Sequence, residues 1–403
     1  MTAGGPLAGI RVADFSRLLP GPWAANLLGS LGADVIKVEA PGTGDPSRHN
    51  PPFYTTDSVY FDSVNCNKRS IAVDLKNRDG LKIAHALLGA SNVVIESFRP
   101  GAADRLGVGY ETAGSLNPAV VYASLSGFGA TGPLAHVPGH DLAVQALSGL
   151  MGVDGRAFAA TEPPAFQAAD YAAALFACMA IMAALMEVRE GRKGRHLEIS
   201  MLDSLVAVSG IAQLGALARR AGVSGQPGLQ AWGGNPRYAT YATADGRSVA
   251  VCLLEKETWR AFCRHIRRPD LFREDEAPGD RHSSHGALGD AYRAAIAEYC
   301  ASLDANEHMR VMRQDGLPIA PVLTPDEALA SDLVGGRGMV TDLAHHDDGQ
   351  TRCRLNDPLV RSGLAKKHTD PASGLGEHAD EILLDLGYDE KERRRLIASG
   401  AVG

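Results

Sequence analysis

Short apolar runs alternate with helix-like stretches through the first 125 residues, and this alternation limits the fold more than any other feature of the chain. Residues 10–15, 34–38, 70–75, 92–96 and 120–125 are strand-type runs. Pro20-Gly21-Pro22 breaks the first of them, and residues 23–31 and 77–88 have helical composition. Strands that alternate with helices of this length predict an α/β fold, with a parallel sheet covered on both faces. Ligands of such sheets bind beyond the carboxyl ends of the strands. The segments around Arg17, Glu39, Phe98 and Ser126 are therefore where a site is expected.

A chain of 403 residues exceeds the usual size of one hydrophobic core, so two domains are expected. Composition shifts after Leu217: residues 219–236 are rich in Gly, Pro, Gln and Ser and lack apolar periodicity. A second unit follows, opening with a hairpin signal in residues 238–242 and 248–253 around the turn Ala244-Asp245-Gly246. Helical stretches at 258–266 and 285–303 come next, and residues 377–401 form an amphipathic tail interrupted by Gly387. The predicted division is a large domain in 1–217, a linker in 218–237, a small α+β domain in 238–325, and a return to the large domain in 326–403. The most apolar stretch, 172–188, is slightly short for a membrane span and reads as a buried core helix.

The net charge of −7 argues against general affinity for nucleic acid or anionic membrane. The six cysteines are scattered without a CxxC pair, as expected of reduced thiols in the cytoplasm. Residues 1–7 lack the basic region and apolar run of a signal peptide.

Two motifs and three single residues carry chemical possibilities. Gly127-Phe-Gly-Ala-Thr-Gly132 fits GxGxxG, but a dinucleotide fingerprint needs a helix at the glycines, and Pro133, Pro138 and Gly139 follow instead. NAD and FAD are therefore not expected, and the segment reads as a loop that allows close backbone approach. Asn65-Cys-Asn-Lys68-Arg69-Ser70 is either a solvated turn or a phosphate grip. Asp170 opens the long apolar stretch and either caps a helix or holds a carboxylate at the edge of a pocket. His140 follows Pro138-Gly139 just ahead of another apolar helix, and Glu255 interrupts an apolar strand end with the same ambiguity as Asp170.

These residues, in this order, make the chain similar to the family III CoA-transferases (the CaiB/BaiF family), which include the α-methylacyl-CoA racemases. The resemblance runs nearly end to end. It begins with Asp14-Phe-Ser-Arg-Leu-Leu-Pro-Gly-Pro22 and continues through Leu31-Gly-Ala-Asp-Val-Ile-Lys-Val-Glu39 and Asn65-Cys-Asn-Lys-Arg-Ser70. Glu96-Ser-Phe-Arg-Pro-Gly101, Gly139-His-Asp141, Tyr241-Ala-Thr-Ala-Asp-Gly246 and Gly376-Glu-His378 extend it. The resemblance implies a Rossmann-like large domain, a smaller α+β domain and a homodimer of interlocked chains. It implies coenzyme A or acyl-CoA and carboxylic acids as substrates, with no metal. Carried over by position, Arg17, Leu18, Pro20, Lys68, Arg69, Ser97, Phe98 and Arg105 would bind CoA, and Asp170 would be the catalytic carboxylate. Residues 225–234 would fall near a mobile loop over the site.

Two activities are open under this resemblance. In a transferase, Asp170 is a nucleophile that carries CoA between carboxylic acids. In a racemase, His140 and Asp170 exchange the α-proton of the acyl group while Glu255 orients the histidine. Gly42-Thr-Gly-Asp45 and Gln145-Ala-Leu-Ser-Gly-Leu-Met151 are closer to the transferases. Ala168-Ala169 stands before Asp170 where both groups usually carry Gly-Asp.

Overall fold

Strand β1 (Arg11–Asp14) lies inside a six-stranded sheet whose order is β3-β2-β1-β4-β5-β6, and every pairing in it is parallel. The protein is seen in a computed structural model that describes residues 4–152, 162–223, 234–343, 351–367 and 371–403. Residues 225–233 of the glycine-containing stretch lie outside the described residues.

The chain leaves β1 into α1 (Pro20–Ser30) and returns as β2 (Asp34–Glu39). A 3-10 turn at Pro46–His49 and α2 (Val59–Asn65) lead to β3 (Arg69–Ala72), and α3 (Arg78–Gly89) leads to β4 (Val93–Glu96). The short helices α4 (Ala102–Arg105) and α5 (Tyr110–Leu116) precede β5 (Val121–Ser126). Helices α6 (Asp141–Leu147) and α7 (Ala168–Arg189) precede β6 (His196–Ser200), which runs directly into α8 (Met201–Val208). Strand β6 was not expected from sequence: it lies at the sheet edge, and His196 and Glu198 face outward among its apolar residues.

Side chains alternate across a strand, so each strand feeds two cores. Ala13, Ile36, Ile71, Val94 and Tyr122 pack on one face. Val12, Val35, Val93 and Val121 pack on the other, against Ala24, Ala25 and Leu28 of α1 and Ala174, Ala177 and Ile181 of α7. The small residues of α7 let it approach α1 closely. Its opposite face is open: Leu175, Met179 and Met186 are each at least half exposed. The expected buried core helix is therefore buried along one face only, although its 22 residues meet the length and hydropathy of a membrane span.

The chain forms two compact units, and the sheet belongs to the first: residues 1–149, 162–208 and 332–403. In the second unit, α9 (Leu214–Arg220) is followed by an antiparallel sheet of β7 (Tyr238–Ala242), β8 (Ser248–Cys252) and β9 (Ile319–Pro321). It is packed with α10 (Lys256–His265), α11 (Gly289–Ala301) and α12 (Ala305–Asp315), and α13 (Pro325–Ala330) follows β9. Trp259 and Phe262 centre its core. Back in the first unit, α14 (Asp332–Gly335), the hairpin β10 (Val340–Leu343) and β11 (Arg352–Leu355), and α15 (Pro358–Arg361) precede α16 (Ala379–Asp385) and α17 (Glu390–Ala398). Ala379, Ile382, Leu383 and Leu396 of the last two helices seal the first core.

Beneath the carboxyl end of the sheet lies a buried ionic cluster. Lys37 Nζ donates to the Ser16 carbonyl at 2.6 Å and pairs with Asp45 at 2.9 Å, with Asp14 at 4.0 Å. Lys68 Nζ donates to Asp14 at 2.9 Å, to the Pro22 carbonyl at 2.8 Å and to Asn65 Oδ1 at 2.9 Å. Arg48 grips Glu39 through two bonds of 2.8 and 2.7 Å. Burial opposes ionisation of Asp14 and Asp45, but the lysine charges outweigh it and both carboxyls lie below the usual range. Removing one partner of a buried pair leaves the other uncompensated and costs about 3–5 kcal/mol. Lys37→Met is therefore expected to lower stability by that amount, read as a shift in the urea midpoint.

Candidate active site

The sheet order reverses direction at β1, which has β2 on one side and β4 on the other, and this is where an open α/β sheet leaves a crevice. The loop after β1 forms one wall. Leu18 holds a left-handed backbone with φ of 66°, a cost that a bulky residue bears only when its surroundings impose it. Its N–H donates to both oxygens of Asp45 at 3.2 Å, and the Arg17 N–H donates to Ser97 Oγ at 2.9 Å. The Arg17 guanidinium lies 5.3 Å from the centre of the Phe98 ring. Phe98 is fixed in turn by its N–H, which donates to the buried carboxyl of Glu96 at 2.6 Å. Arg105, at the end of α4, is exposed.

The opposite wall follows β5. A Cβ on Gly127 would come within 2.9 Å of the Gly139 Cα, so two glycines let the chain cross itself here. That crossing sets His140 at the start of α6, exposed and lining the same cavity as Asp170. Asp141 accepts the Ala169 N–H at 2.8 Å and the Asp170 N–H at 3.3 Å, and Gln145 holds its other oxygen at 2.6 Å. Asp141 thus supplies the cap of α7. The capping use considered for Asp170 is corrected: its carboxylate makes no hydrogen bond among the described residues. Burial, followed by the neighbouring Asp141 charge, pushes the Asp170 pKa up to about 7.

A cavity of about 610 Å³ gathers Arg17, Leu18, Pro20, Ser97, His140 and Asp170. An adjoining cavity of about 480 Å³ shares His140 and Asp170 with it. Tyr60 of α2 lines both, and burial, followed by the Asp170 charge, raises its hydroxyl pKa. Tyr171 packs its ring between Trp23, edge-on at 4.8 Å, and Phe166, stacked at 5.1 Å.

Phe98 and Arg105 line neither cavity, and Lys68 and Arg69 are committed elsewhere in the unit. The Lys68 ammonium is buried and holds three internal acceptors, so it is not free for a phosphate. Arg69 turns toward Asp34, the first residue of β2, at 2.7 Å, and also binds Glu381 and Asp385 at 2.9 Å, away from the carboxyl ends. Adjacent side chains at a strand start point in opposite directions, so a Lys-Arg pair cannot form one grip there. Glu255 belongs to the second unit, where it precedes α10 and pairs with Arg281 at 2.9 Å. Tyr60, Asp45 and Asp141 were missed as site residues. Asp141 had a signal, because an acid just inside an apolar helix is available as a cap.

At its switch-point crevice the parallel α/β sheet thus carries a carboxyl with no partner among the described residues, in a cavity that the exposed Arg17 also lines. Residues 7–379 match CoA-transferase family III, and the chain belongs to that family. It is 32% identical over 404 residues to mouse succinyl-CoA:glutarate CoA-transferase, spanning 98% of this chain and 90% of that one. It is 32% identical to the acetyl-CoA:oxalate CoA-transferase of Acetobacter aceti, spanning 83% and 85% of the two chains. The crystal structure of a CAIB/BAIF family protein from Brucella suis matches with a TM-score of 0.79 at 28% identity, over 95% of this chain and all of that one.

The raised carboxyl of Asp170 fixes a pH dependence. An unfolded aspartate gives up its proton near 3.8, while the folded one keeps it to about 7. Stability tied to this group is fully present below the lower value and lost as pH rises through that window. Asp170→Asn, which has no proton to lose, is expected to gain urea resistance over wild type at about pH 8 and little at about pH 4.

Proposed function

We propose that Asp170 carries coenzyme A from an acyl-CoA to a carboxylic acid through covalent intermediates. The observation that supports this most directly is its carboxylate, unpaired among the described residues, raised in pKa and facing the cavity that Arg17 and Ser97 also line. A carboxylate poorly solvated by its surroundings is a better nucleophile, and covalent catalysis splits one difficult exchange into easier steps.

An Asp170 oxygen attacks the thioester carbonyl, a C–O bond forms, the C–S bond breaks and CoA leaves as thiolate, giving a mixed anhydride. The thiolate attacks the aspartyl carbonyl, the donor carboxylate departs, and an aspartyl-CoA thioester remains. The acceptor carboxylate attacks that thioester, releasing thiolate and forming a second anhydride. Thiolate attack on the acceptor's carbonyl then yields the new acyl-CoA and restores the Asp170 carboxylate. Each tetrahedral intermediate is an oxyanion; the amides next to Asp170 are already taken by Asp141, so backbone amides of the Gly127–Gly132 loop are the proposed donors. Arg17, Leu18, Pro20, Ser97, Phe98 and Arg105 are the proposed CoA contacts.

The racemase reading is favoured by one observation: His140 is exposed in the same cavity as Asp170. It is disfavoured by Gly42-Thr-Gly-Asp45 and Gln145-Ala-Leu-Ser-Gly-Leu-Met151, which are closer to the transferases. The open apolar face of α7 supports a homodimer, and the interlocked form remains part of this proposal from the family resemblance. The six free cysteines fit a cytoplasmic protein.

The decisive experiment is CoA exchange between two acids. Asp170→Ala is expected to abolish it, with hydroxylamine trapping the aspartyl thioester in wild type only. In D₂O without acceptor acid, a 2-methylacyl-CoA should gain no α-deuterium. Rapid deuteration that falls about 10²–10⁴-fold in His140→Ala would establish the racemase instead. For binding, Arg105→Ala is expected to weaken CoA about tenfold or more by calorimetry, since a charged hydrogen bond contributes about 1.5–3 kcal/mol.

A further inference from the structure

A third cavity, of about 450 Å³, lies within the same unit and shares Ser63, Val64 and Tyr171 with the smaller cavity beside Asp170. Its apolar walls are Trp23, Leu27, Tyr54, Val59, Leu355 and Pro358. The charged groups on its surface are committed within the protein. Asp62 is locked to Arg354 by bonds of 2.6 and 2.7 Å and accepts the Ala372 N–H, with both side chains buried. Asp357 caps α15 through the Leu359 and Val360 N–H groups. Asn26 accepts the Cys66 thiol, and Asn356 donates to the Gly338 carbonyl and Thr341, leaving its buried Oδ1 without a partner among the described residues.

A pocket of this size with aromatic and aliphatic walls suits an apolar group. It suits a second carboxylate poorly, because its arginine is already neutralised and an unpaired buried charge is costly. We infer that this cavity receives the apolar body of the acyl group, so that an aromatic or branched acyl-CoA is the substrate class. This rests on the reading of Asp170 as the acyl-transfer residue. The thioester would lie at Asp170 and the acyl body would pass Tyr171, the next residue on α7. Dicarboxylates such as the succinate, glutarate and oxalate in the names of the relatives would leave the cavity unfilled.

The test is equilibrium binding of phenylacetyl-CoA and succinyl-CoA by calorimetry, which needs no turnover. Burying a phenyl group predicts that phenylacetyl-CoA binds at least about tenfold tighter. Val59→Trp and Leu355→Trp each narrow this cavity from positions that do not line the two beside Asp170. Each is expected to erase the phenylacetyl advantage while leaving succinyl-CoA affinity within about twofold. Equal affinities in wild type, or an advantage that survives both variants, would overturn the inference. An advantage that holds while no acid accepts CoA would overturn the transfer chemistry and leave the pocket assignment standing.

Discussion

Everything at the carboxyl end of the sheet depends on two lysines that never meet solvent. Lys37 and Lys68 sit among Asp14, Asp45 and Glu39, and each of these buried charges is stable only because the others are present. The cluster also binds backbone: the Ser16 and Pro22 carbonyls through the lysines, and the Leu18 and Ser47 N–H groups through Asp45. The first crossover loop, the start of α1 and the Pro46–His49 turn are thus tied to one knot. Its cost is met on folding, so the loop that carries Arg17 needs little ordering when a ligand arrives.

The start of α7 shows a division of work between two carboxylates. A helix N-terminus offers free amides, and the nearest acid would normally take them and lose reactivity. Asp141, from a neighbouring helix, occupies the Ala169 and Asp170 amides, and its own charge further disfavours ionisation of Asp170. One acid is held so that the other remains free. Ala168-Ala169 fits this arrangement, since alanine is a good helix former and both residues lie within the helix.

Much of the fold was legible because buried parallel strands are continuous apolar runs. The first five strands lie where those runs were read, to within a few residues at their ends. Strand β6 escaped because an edge strand needs only one covered face, and Glu198 and His196 dilute the signal. In the site, His140 and Asp170 stood out as polar residues bordering apolar helices, and both line the cavity. Tyr60 carries no local mark and Asp45 only its place at the end of Gly42-Thr-Gly-Asp45: their importance comes from which segments pack together across long stretches of chain. Lys68 and Arg69 misled because charge alone does not say whether a cation faces solvent, the interior or an internal acid.

Leu18 carries a further consequence. A residue in a left-handed conformation is relieved by glycine, which adopts it without steric cost. Evolutionary pressure on folding alone would therefore drift toward glycine at this position. The leucine side chain forms part of the cavity wall, and glycine would remove it. A deep mutational survey would record the trade as opposed signs: glycine tolerated or favoured in a selection for abundance, and depleted in a selection for turnover.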